Sequence, residues 1–299
     1  MTKVLRGFRS AIIFALSPSA REQIRRDRFL VQASRYSVVL GIQNINGQTY
    51  FFYPRDTVIG RILFQAGEVH DADQFESVLG LLSESNVSPL QVLDIGANIG
   101  TTSVDVLSRL PATHAHAFEP EIANIQLLEQ NVLANNLTER ITVHNVAISD
   151  YDGQVTLELA PTNFGDHRVR VGSPPDGALS EKDRVTTTVQ AWRLDTLVAR
   201  GIVAANVPSL MWIDVQGHEG QVLAGAQSLR HVPAVVEFWP YGLQRANGYD
   251  LFLSLLTQYA YIIDIRNSMK LMSAVELRGL ATSFGDTGFT DLLLLPFDS

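Results

Sequence analysis

The sequence predicts an α/β protein with a doubly wound, mostly parallel sheet, and three observations lead to that fold class. Val92–Gly100 is a short apolar run that breaks into a glycine turn, and the residues after it have helical apolar spacing. Ala115–Phe118 is the next apolar run, and it ends at Glu119, nineteen positions after Gly100. Ser209–Ile213 is typical of a strand that is buried on both faces. The order strand, tight turn and helix start opens a nucleotide-binding sheet.

The glycine turn also indicates which kind of ligand the sheet binds. Gly96 and Gly100 have no Cβ, so the backbone can turn sharply and lie close to a cofactor. A dinucleotide turn has a third glycine between them, where this chain has Asn98. Asp94 precedes the turn, and its carboxylate would repel a diphosphate but attract an amino group and a sulfonium. The turn therefore favours S-adenosylmethionine over NAD, with Glu119 accepting hydrogen bonds from the ribose hydroxyls.

The composition excludes several classes of protein. The chain has 299 residues, 46% of them hydrophobic, which is enough for a large α/β domain with an extension. The net charge is −8, yet residues 1–35 alone carry +6, so the remainder carries −14 and nucleic acid is excluded as its partner. The chain has no cysteine, which excludes disulfides and thiolate metal sites and agrees with a cytoplasmic location.

Residues 1–88 are predicted to form an N-terminal extension. The apolar run Ser10–Leu16 is too short to span a bilayer, and the arginine-rich stretch behind it disfavours a signal peptide. Residues 3–34 are predicted to form one or two basic amphipathic helices, broken near Pro18. These helices pack on the main domain or, alternatively, contact a membrane surface or a partner. Tyr36–Tyr53 has strand character around a predicted turn at Asn46–Gly47.

The main domain, residues 89–299, begins after Ser88–Pro89 and alternates strands with helices. Residues 121–136 are predicted to form a helix, and Ile141–Ile148 the third strand. The loop Asn163–Arg168 interrupts the alternation and is expected to carry specificity. Further strands are predicted at Gln154–Leu159, Thr186–Val189 and Val235–Val236, and two antiparallel edge strands, Tyr261–Ile265 and Leu292–Leu295, are predicted to close the sheet.

Four short motifs occur together in this chain. They are Val92–Gly100, Phe118–Pro120, Val146–Asp150 and Trp212–Glu219. From about Asp56 to Phe238 the chain resembles the FkbM-like S-adenosylmethionine-dependent methyltransferases. The resemblance implies a Rossmann-like sheet of the methyltransferase type and S-adenosylmethionine as the cofactor. The family usually has a glutamate where this chain has Gln216, which keeps the hydrogen-bonding length of a glutamate and loses its charge.

A helical segment, Asp56–Leu82, precedes these motifs and carries a polar cluster. The cluster consists of Arg61, Glu68, His70, Asp71 and Glu76. In similar methyltransferases such a segment covers the cofactor and helps to shape the acceptor pocket. A solvated helix face explains the same charges, and both interpretations stay open.

Acidic residues stand at the ends of four predicted strands: Asp94, Glu119, Asp214 and Glu237. Because ligands bind outside the carboxyl ends of the strands in an open α/β sheet, these acids are expected to meet in one crevice. The predicted cofactor-binding residues are Asp94, Gly96, Asn98, Gly100, Glu119, Ala147 and Asp214. Asp214, His218, Glu219 and Glu237 have the ligand types that Mg²⁺ requires, but the resemblance does not demand a metal and none is predicted.

Methyl transfer to a hydroxyl requires a base for the hydroxyl proton. His218 is predicted to be that base, with Asp214 holding its ring or the methyl donor, and His167 is the second candidate. The neighbouring acids are expected to favour the charged form of His218, so that activity rises with pH as the imidazole loses its proton.

The sequence therefore predicts an S-adenosylmethionine-dependent O-methyltransferase that acts on a hydroxyl of a small molecule, a sugar or a glycolipid. One alternative is an NAD-dependent dehydrogenase, which Asn98 disfavours. The other is a non-catalytic binding protein that has kept the fold, which Gln216 leaves open.

Overall fold

A computed structural model describes residues 17–84, 88–172 and 177–297. The strands are β1 Leu40–Gln43, β2 Thr49–Phe52, β3 Gln91–Ile95, β4 His114–Phe118, β5 Ile141–His144, β6 Ala147–Ile148, β7 Gly153–Leu159, β8 Arg168–Arg170, β9 Val185–Trp192, β10 Ser209–Ile213, β11 Ala234–Phe238, β12 Tyr259–Asp264, β13 Lys270–Met272 and β14 Thr290–Pro296. The α-helices are α1 Pro18–Ala33, α2 Ile59–Ala66, α3 Ala72–Glu84, α4 Thr101–Arg109, α5 Ile122–Ala134, α6 Leu194–Ala199, α7 Glu219–Ala224, α8 Pro240–Arg245, α9 Tyr249–Leu255 and α10 Ala274–Phe284.

A central eight-stranded sheet carries the fold, in the order β13-β12-β14-β11-β10-β3-β4-β5. Strands β5, β4, β3, β10 and β11 are parallel to one another, and the register of β3 and β10 pairs Asp94 with Trp212 and Ile95 with Ile213. Strands β3 and β10 are buried along their whole length, with apolar clusters on both sheet faces. Helices cover both faces, as a doubly wound sheet requires.

The C-terminal strands differ from the prediction in one respect. Strand β14 is antiparallel to β11 and to β12, so it lies inside the sheet and β12 runs in the same direction as β11. The predicted antiparallel C-terminal strand is therefore confirmed in β14, whereas the prediction that Tyr261–Ile265 and Leu292–Leu295 are both antiparallel edge strands was wrong, because neither lies at the edge and β12 has the direction of the parallel strands. Strand β13, which pairs antiparallel with β12, forms the edge instead.

The predicted third strand is divided between two sheets. Residues 141–144 form β5 at the edge of the central sheet, whereas Ala147–Ile148 pairs in parallel with β9 in a second, four-stranded sheet of order β6-β9-β7-β8. The second sheet places the predicted specificity loop, Asn163–Arg168, beside the carboxyl ends of the central strands.

The N-terminal hairpin packs on the main domain through Asn131 of α5 and Asn135, the C-cap residue of that helix. Asn131 accepts from the Phe51 amide and donates to the carbonyls of Phe51 and Ile99, the latter at 2.7 Å. Asn135 accepts from the Thr49 amide at 2.9 Å and donates to the Thr49 carbonyl at 2.7 Å. The predicted turn at Asn46–Gly47 is confirmed, with Gly47 at a positive φ of 86°.

The helices before β3 pack on the same side. Phe75 of α3 stacks on Trp212 of β10, with ring centroids 3.9 Å apart, and Arg26 of α1 donates to the last carbonyls of α2. Lys3, Arg6 and Arg9 and the run Ser10–Leu16 lie outside the described residues, so the prediction of membrane or partner contact stays a prediction. Among helices within 17–84, 88–172 and 177–297, none is both long and apolar enough to span a membrane.

Two glycines with similar φ angles allow a test of how closely the ends of β3 and β10 pack against each other. A Cβ on Gly96 (φ 89°) would lie 1.8 Å from the Asp214 carbonyl oxygen, whereas a Cβ on Gly47 (φ 86°) would meet nothing within 4 Å. Gly47→Ala should cost about 1–2 kcal/mol of unfolding free energy from its φ alone. Gly96→Ala should cost about 1–3 kcal/mol more than Gly47→Ala, because overpacking is added to the same strain. Urea unfolding of both variants measures the difference, and equal losses would contradict the contact.

Candidate active site

The four predicted acids lie around one crevice at the carboxyl ends of the central strands. Two adjoining cavities occupy this crevice, with empty spaces of about 520 Å³ and about 1200 Å³ that include open solvent. Glu119 lines the smaller cavity, Asp94 and Glu237 line the larger one, and Asp214 lines both. The cavities also share Gly96, Asn98, Gly165 and Gln216. A ligand can therefore extend from one cavity into the other.

The smaller cavity is built around the buried carboxylate of Glu119. One oxygen accepts from the Asn98 amide at 2.9 Å, and the other accepts from the Glu121 amide at 2.8 Å. Burial nevertheless raises the pKa of Glu119 to about 7. The surrounding wall is apolar and includes Phe118, Val146, Ala147 and Ile148. A carboxylate beside an apolar slot suits a ribose that carries a flat aromatic base.

The loop Asn163–Arg168 covers this smaller cavity. The Phe164 carbonyl accepts from the side-chain amides of Asn98, at 2.8 Å, and Asn124, at 3.2 Å. Asn98 adopts a left-handed conformation with φ 50°, which asparagine tolerates better than most residues. Its side chain thereby connects the glycine turn to the loop, a contact that a third glycine at position 98 would lack.

Asp94 is buried at the floor of the larger cavity. It accepts from the Ser103 hydroxyl at 2.5 Å, and burial raises its pKa to about 7. Gly96 and Gly100 on either side of the turn both have positive φ, and the backbone approaches Asp214 there. An acid in this position attracts a cationic group of a ligand and would oppose a diphosphate.

A second acidic group follows β10. Asp214, Glu219 and Glu237 each offer a carboxylate oxygen within 4.8 Å of the others, and in the described part of the chain they form the group with metal-binding potential. Burial raises the pKa of Asp214 to about 6 and that of Glu219 to about 7, and burial and repulsion by its neighbours hold that of Glu237 well above its usual range. The prediction that no metal binds here stays a prediction.

Gln216 lies between two of these carboxylates. Its side-chain amide donates to Asp214 at 2.6 Å and to Glu237 at 3.1 Å, from a backbone in the left-handed conformation (φ 55°). A glutamine can supply both hydrogen bonds, whereas an ionised glutamate has no hydrogen to donate. The neutral amide therefore lowers the repulsion in the group, which gives this residue a specific physical role.

The two predicted histidines lie at the smaller cavity and not at the larger one. His218 contacts the Ser149 hydroxyl through Nε2 at 2.9 Å, and Nδ1 of His167 accepts from the Ala160 amide at 3.0 Å. Burial lowers the pKa of each imidazole to about 4. The expectation that the acids favour the charged form of His218 was therefore wrong, because desolvation outweighs the attraction of Asp150.

The larger cavity contains a chain of polar residues that the sequence interpretation identified only in part. Asp71 contacts Nδ1 of His70 at 2.7 Å and Nη2 of Arg266 at 2.5 Å, and Nε of Arg266 donates to Asp291. His70 and Asp71 belong to the predicted polar cluster, whereas Arg61 pairs with Asp27 and Glu76 with Arg109 away from the cavity. Of the two interpretations of this segment, the one in which it shapes a pocket thus applies to two of the five residues, His70 and Asp71.

The sequence prediction missed Arg266 and Asp291 because it assigned the wrong direction to β12 and the wrong place in the sheet to β14. Arg266 follows β12, which is parallel to β11, so it lies at the same carboxyl edge. Asp291 is near the start of the antiparallel β14, and that start lies at this edge as well. With the correct order of β12 and β14, the rule that placed Asp94 and Asp214 would have identified both residues.

A comparison with known proteins identifies the family. The model of the methyltransferase FkbM domain matches residues 94–263, which is more than half of the chain. The chain belongs to the FkbM methyltransferase family. The predicted family and the predicted α/β fold, a Rossmann-like methyltransferase sheet, are both confirmed.

Individual relatives of this FkbM-family chain are distant. It is similar to the 2-O-methyltransferase NoeI of Sinorhizobium fredii, with 31% identity over 147 residues that cover 46% of this chain and 57% of NoeI. A solved structure of methyltransferase FkbM from Methylobacillus flagellatus KT has 15% identity and a TM-score of 0.41, covering 91% of this chain and 59% of that chain. Cofactor-bound Rv0187 from MTB has 13% identity and a TM-score of 0.42, covering 99% and 97%. The chain thus spans less than two thirds of the length of the first two.

Gln216 provides a test of the electrostatics in this FkbM-family site. Gln216→Glu should lower the unfolding free energy by about 1–3 kcal/mol at ~pH 8, because two donated hydrogen bonds are lost and a fourth carboxylate is added. Burial raises the folded-state pKa of the new carboxyl, so protonation favours the folded state and the loss should shrink towards ~pH 5.5.

Urea unfolding at both pH values measures this effect, with Gln130→Glu on the exposed side of α5 as the control. A loss that does not change with pH would contradict the role assigned to the Gln216 amide. Recovery of stability on adding Mg²⁺ would show instead that the enlarged carboxylate group binds a cation.

Proposed function

We propose that this protein is an S-adenosylmethionine-dependent O-methyltransferase that acts on a hydroxyl of a small molecule, a sugar or a glycolipid. The observation that carries the proposal is the pair of joined cavities. The smaller one has a buried acid, Glu119, beside an apolar slot, and the larger one is lined by several acids. Family membership supports methyl transfer, and the name of NoeI supports an oxygen as the acceptor atom.

The residues fit the cofactor at both ends. Glu119 faces the smaller cavity, beside the apolar Ala147 and Ile148, and is assigned to the ribose hydroxyls. Asp94 and Asp214 face the larger cavity, where a positively charged amino group and sulfonium would gain from their carboxylates. Gly96 and Asn98 line both cavities and are assigned to the middle of the cofactor, whereas the predicted Gly100 lines neither of these two cavities and packs against Leu128. S-adenosylmethionine supplies, when bound, a methyl group on a positively charged sulfur.

The two rival functions receive less support from the same residues. An NAD-dependent dehydrogenase would need to place a diphosphate near Asp94, and the methyltransferase family match argues against it. The non-catalytic alternative rested on Gln216, which here has hydrogen bonds to Asp214 and Glu237 and so a structural reason to be neutral. His218 is assigned to the wall of the smaller cavity, where its neutral imidazole contacts Ser149.

The lining of the larger cavity favours a hydroxyl-rich acceptor. Trp239 and Phe289 provide aromatic faces, and Asp71, Asp166 and Arg168 provide hydrogen-bonding groups in the same cavity. Flat apolar faces together with carboxylates and guanidinium groups match a sugar ring, which has apolar faces and a rim of hydroxyls. The side chains of Trp239 and Arg168 are fixed by a cation–π contact of 4.4 Å.

Binding measurements test the cofactor assignment. Calorimetric titration should give a signal with S-adenosylmethionine or S-adenosylhomocysteine and none with NAD. Glu119→Ala should weaken that binding by about 1–3 kcal/mol, because it removes charge-assisted hydrogen bonds to the ribose. Glu129→Ala, on the exposed surface of α5, is the matched control and should bind as the wild type does. Binding of NAD alone would refute the proposal.

Transfer to an acceptor is tested with a panel of p-nitrophenyl glycosides of hexoses and deoxyhexoses, and with catechol as a non-sugar diol. We expect methyl incorporation into at least one glycoside, detected as a mass increase of one methyl group in place of hydrogen. Cofactor binding without transfer to any member of the panel, and without slow transfer to water, would favour the non-catalytic alternative.

A further inference from the structure

His70 has the placement of a catalytic group in the larger cavity. It lies on the turn between α2 and α3, with its side chain about one third exposed, and lines the cavity together with Asp214, Gln216 and Glu237. Asp214 and Gln216 line both cavities, so His70 lies in the cavity that adjoins the smaller one. His218 and His167 line only the smaller cavity.

The orientation of the His70 ring is fixed from one side. Asp71 lies 2.7 Å from Nδ1, and a carboxylate can only accept, so Nδ1 carries the proton and Nε2 carries the lone pair. Asp71 is itself held by Arg266 at 2.5 Å and has a left-handed backbone with φ 65°. Such strained positions are found where the surrounding structure demands them, often in active sites. The arrangement repeats the order of base and orienting acid that nucleophile activation requires.

Charged groups from several elements act on this imidazole. The hydrogen bond that His70 donates to Asp71 raises the pKa of His70 above its ordinary 6.5, against the opposing effects of burial and of Arg266. Asp214, after β10, raises it further, and Glu237 of β11 and Asp291 of β14 line the same cavity. The pKa of Asp71 is subject to burial, which raises it, but hydrogen bonds from His70 and Arg266 hold it below its usual value. Asp71 therefore stays ionised at neutral pH.

We infer that His70 is the general base of the reaction and that Asp71 and Arg266 are its positioning residues; this inference rests on the proposed function. The acceptor hydroxyl gives its proton to Nε2 of His70 while its oxygen forms a bond to the methyl carbon. The carbon–sulfur bond breaks, its electron pair stays on sulfur, and the positive charge on sulfur is lost. His70 then releases the proton to solvent. A positioned base of this kind contributes about 10²–10⁴-fold to the rate.

The first test uses the protein without ligand. The ring signals of the seven histidines are titrated by NMR, and the His70 signal is assigned by its absence in His70→Ala. We expect His70 to titrate above 6.5 in the wild type and at a lower pH in Asp71→Asn. An unchanged His70 titration in Asp71→Asn would overturn the assignment of Asp71 as its positioning residue and with it the base arrangement.

The second test measures turnover with the p-nitrophenyl glycoside that the wild type methylates, or with water if none is methylated. His70→Ala should lower kcat by about 10²–10⁴-fold, remove the rise of kcat with pH, and recover part of the rate with added imidazole. In Asp71→Asn the rise should move to lower pH. His231→Ala, which changes an exposed histidine outside both cavities, is the control and should leave the profile unchanged.

The outcomes separate this inference from the proposed function. If the wild type binds no S-adenosylhomocysteine and transfers no methyl group, the proposed function fails and the base assignment fails with it. If the wild type binds S-adenosylhomocysteine and transfers a methyl group, and His70→Ala does the same with a normal kcat and pH profile, only the base assignment is overturned. Loss of turnover in His70→Ala together with loss of S-adenosylhomocysteine binding would also overturn it, since His70 would then serve binding.

Discussion

The structure depends on how closely the ends of β3 and β10 approach each other. A side chain at Gly96 would overlap the Asp214 carbonyl oxygen, so the glycine turn and the loop after β10 share one small volume. This contact brings Asp94 and Asp214 to the same place and gives the two cavities a common floor. The packing of these two strand ends alone therefore requires a glycine at position 96.

Collecting acids at one sheet edge is unfavourable, and the chain offsets the cost with hydrogen-bond donors, some of which bind two acids at once. Ser103 serves Asp94, backbone amides serve Glu119, and Arg266 serves Asp71 and Asp291. Burial still raises several of their pKa values to near neutrality. These carboxyls are therefore partly protonated near neutral pH, and a cationic ligand would favour their ionised forms.

The sequence allowed prediction of the elements that depend on local pattern. The glycine turn, the acids at the ends of four strands and the hairpin at Asn46–Gly47 all lie where short-range spacing placed them. The insertion of β14 between β11 and β12 could not be predicted in the same way, because strand order depends on long-range pairing. The environment of His218 depends likewise on burial by distant residues, and adjacency in sequence gave the wrong sign for its pKa.

The side chain of Asn131 has a consequence for how this chain can be divided. It donates to Ile99 in the glycine turn and to Phe51 in the N-terminal hairpin, so one amide fastens both to α5. Cutting the chain before β3 would remove Phe51, so the side chain of Asn131 would lose both hydrogen bonds to the hairpin. The turn that faces the cavities would then be held less firmly. The hairpin and the glycine turn are thus held by the same side chain, and a foreign N-terminal segment grafted in its place would need to reproduce the hydrogen bonds to Asn131.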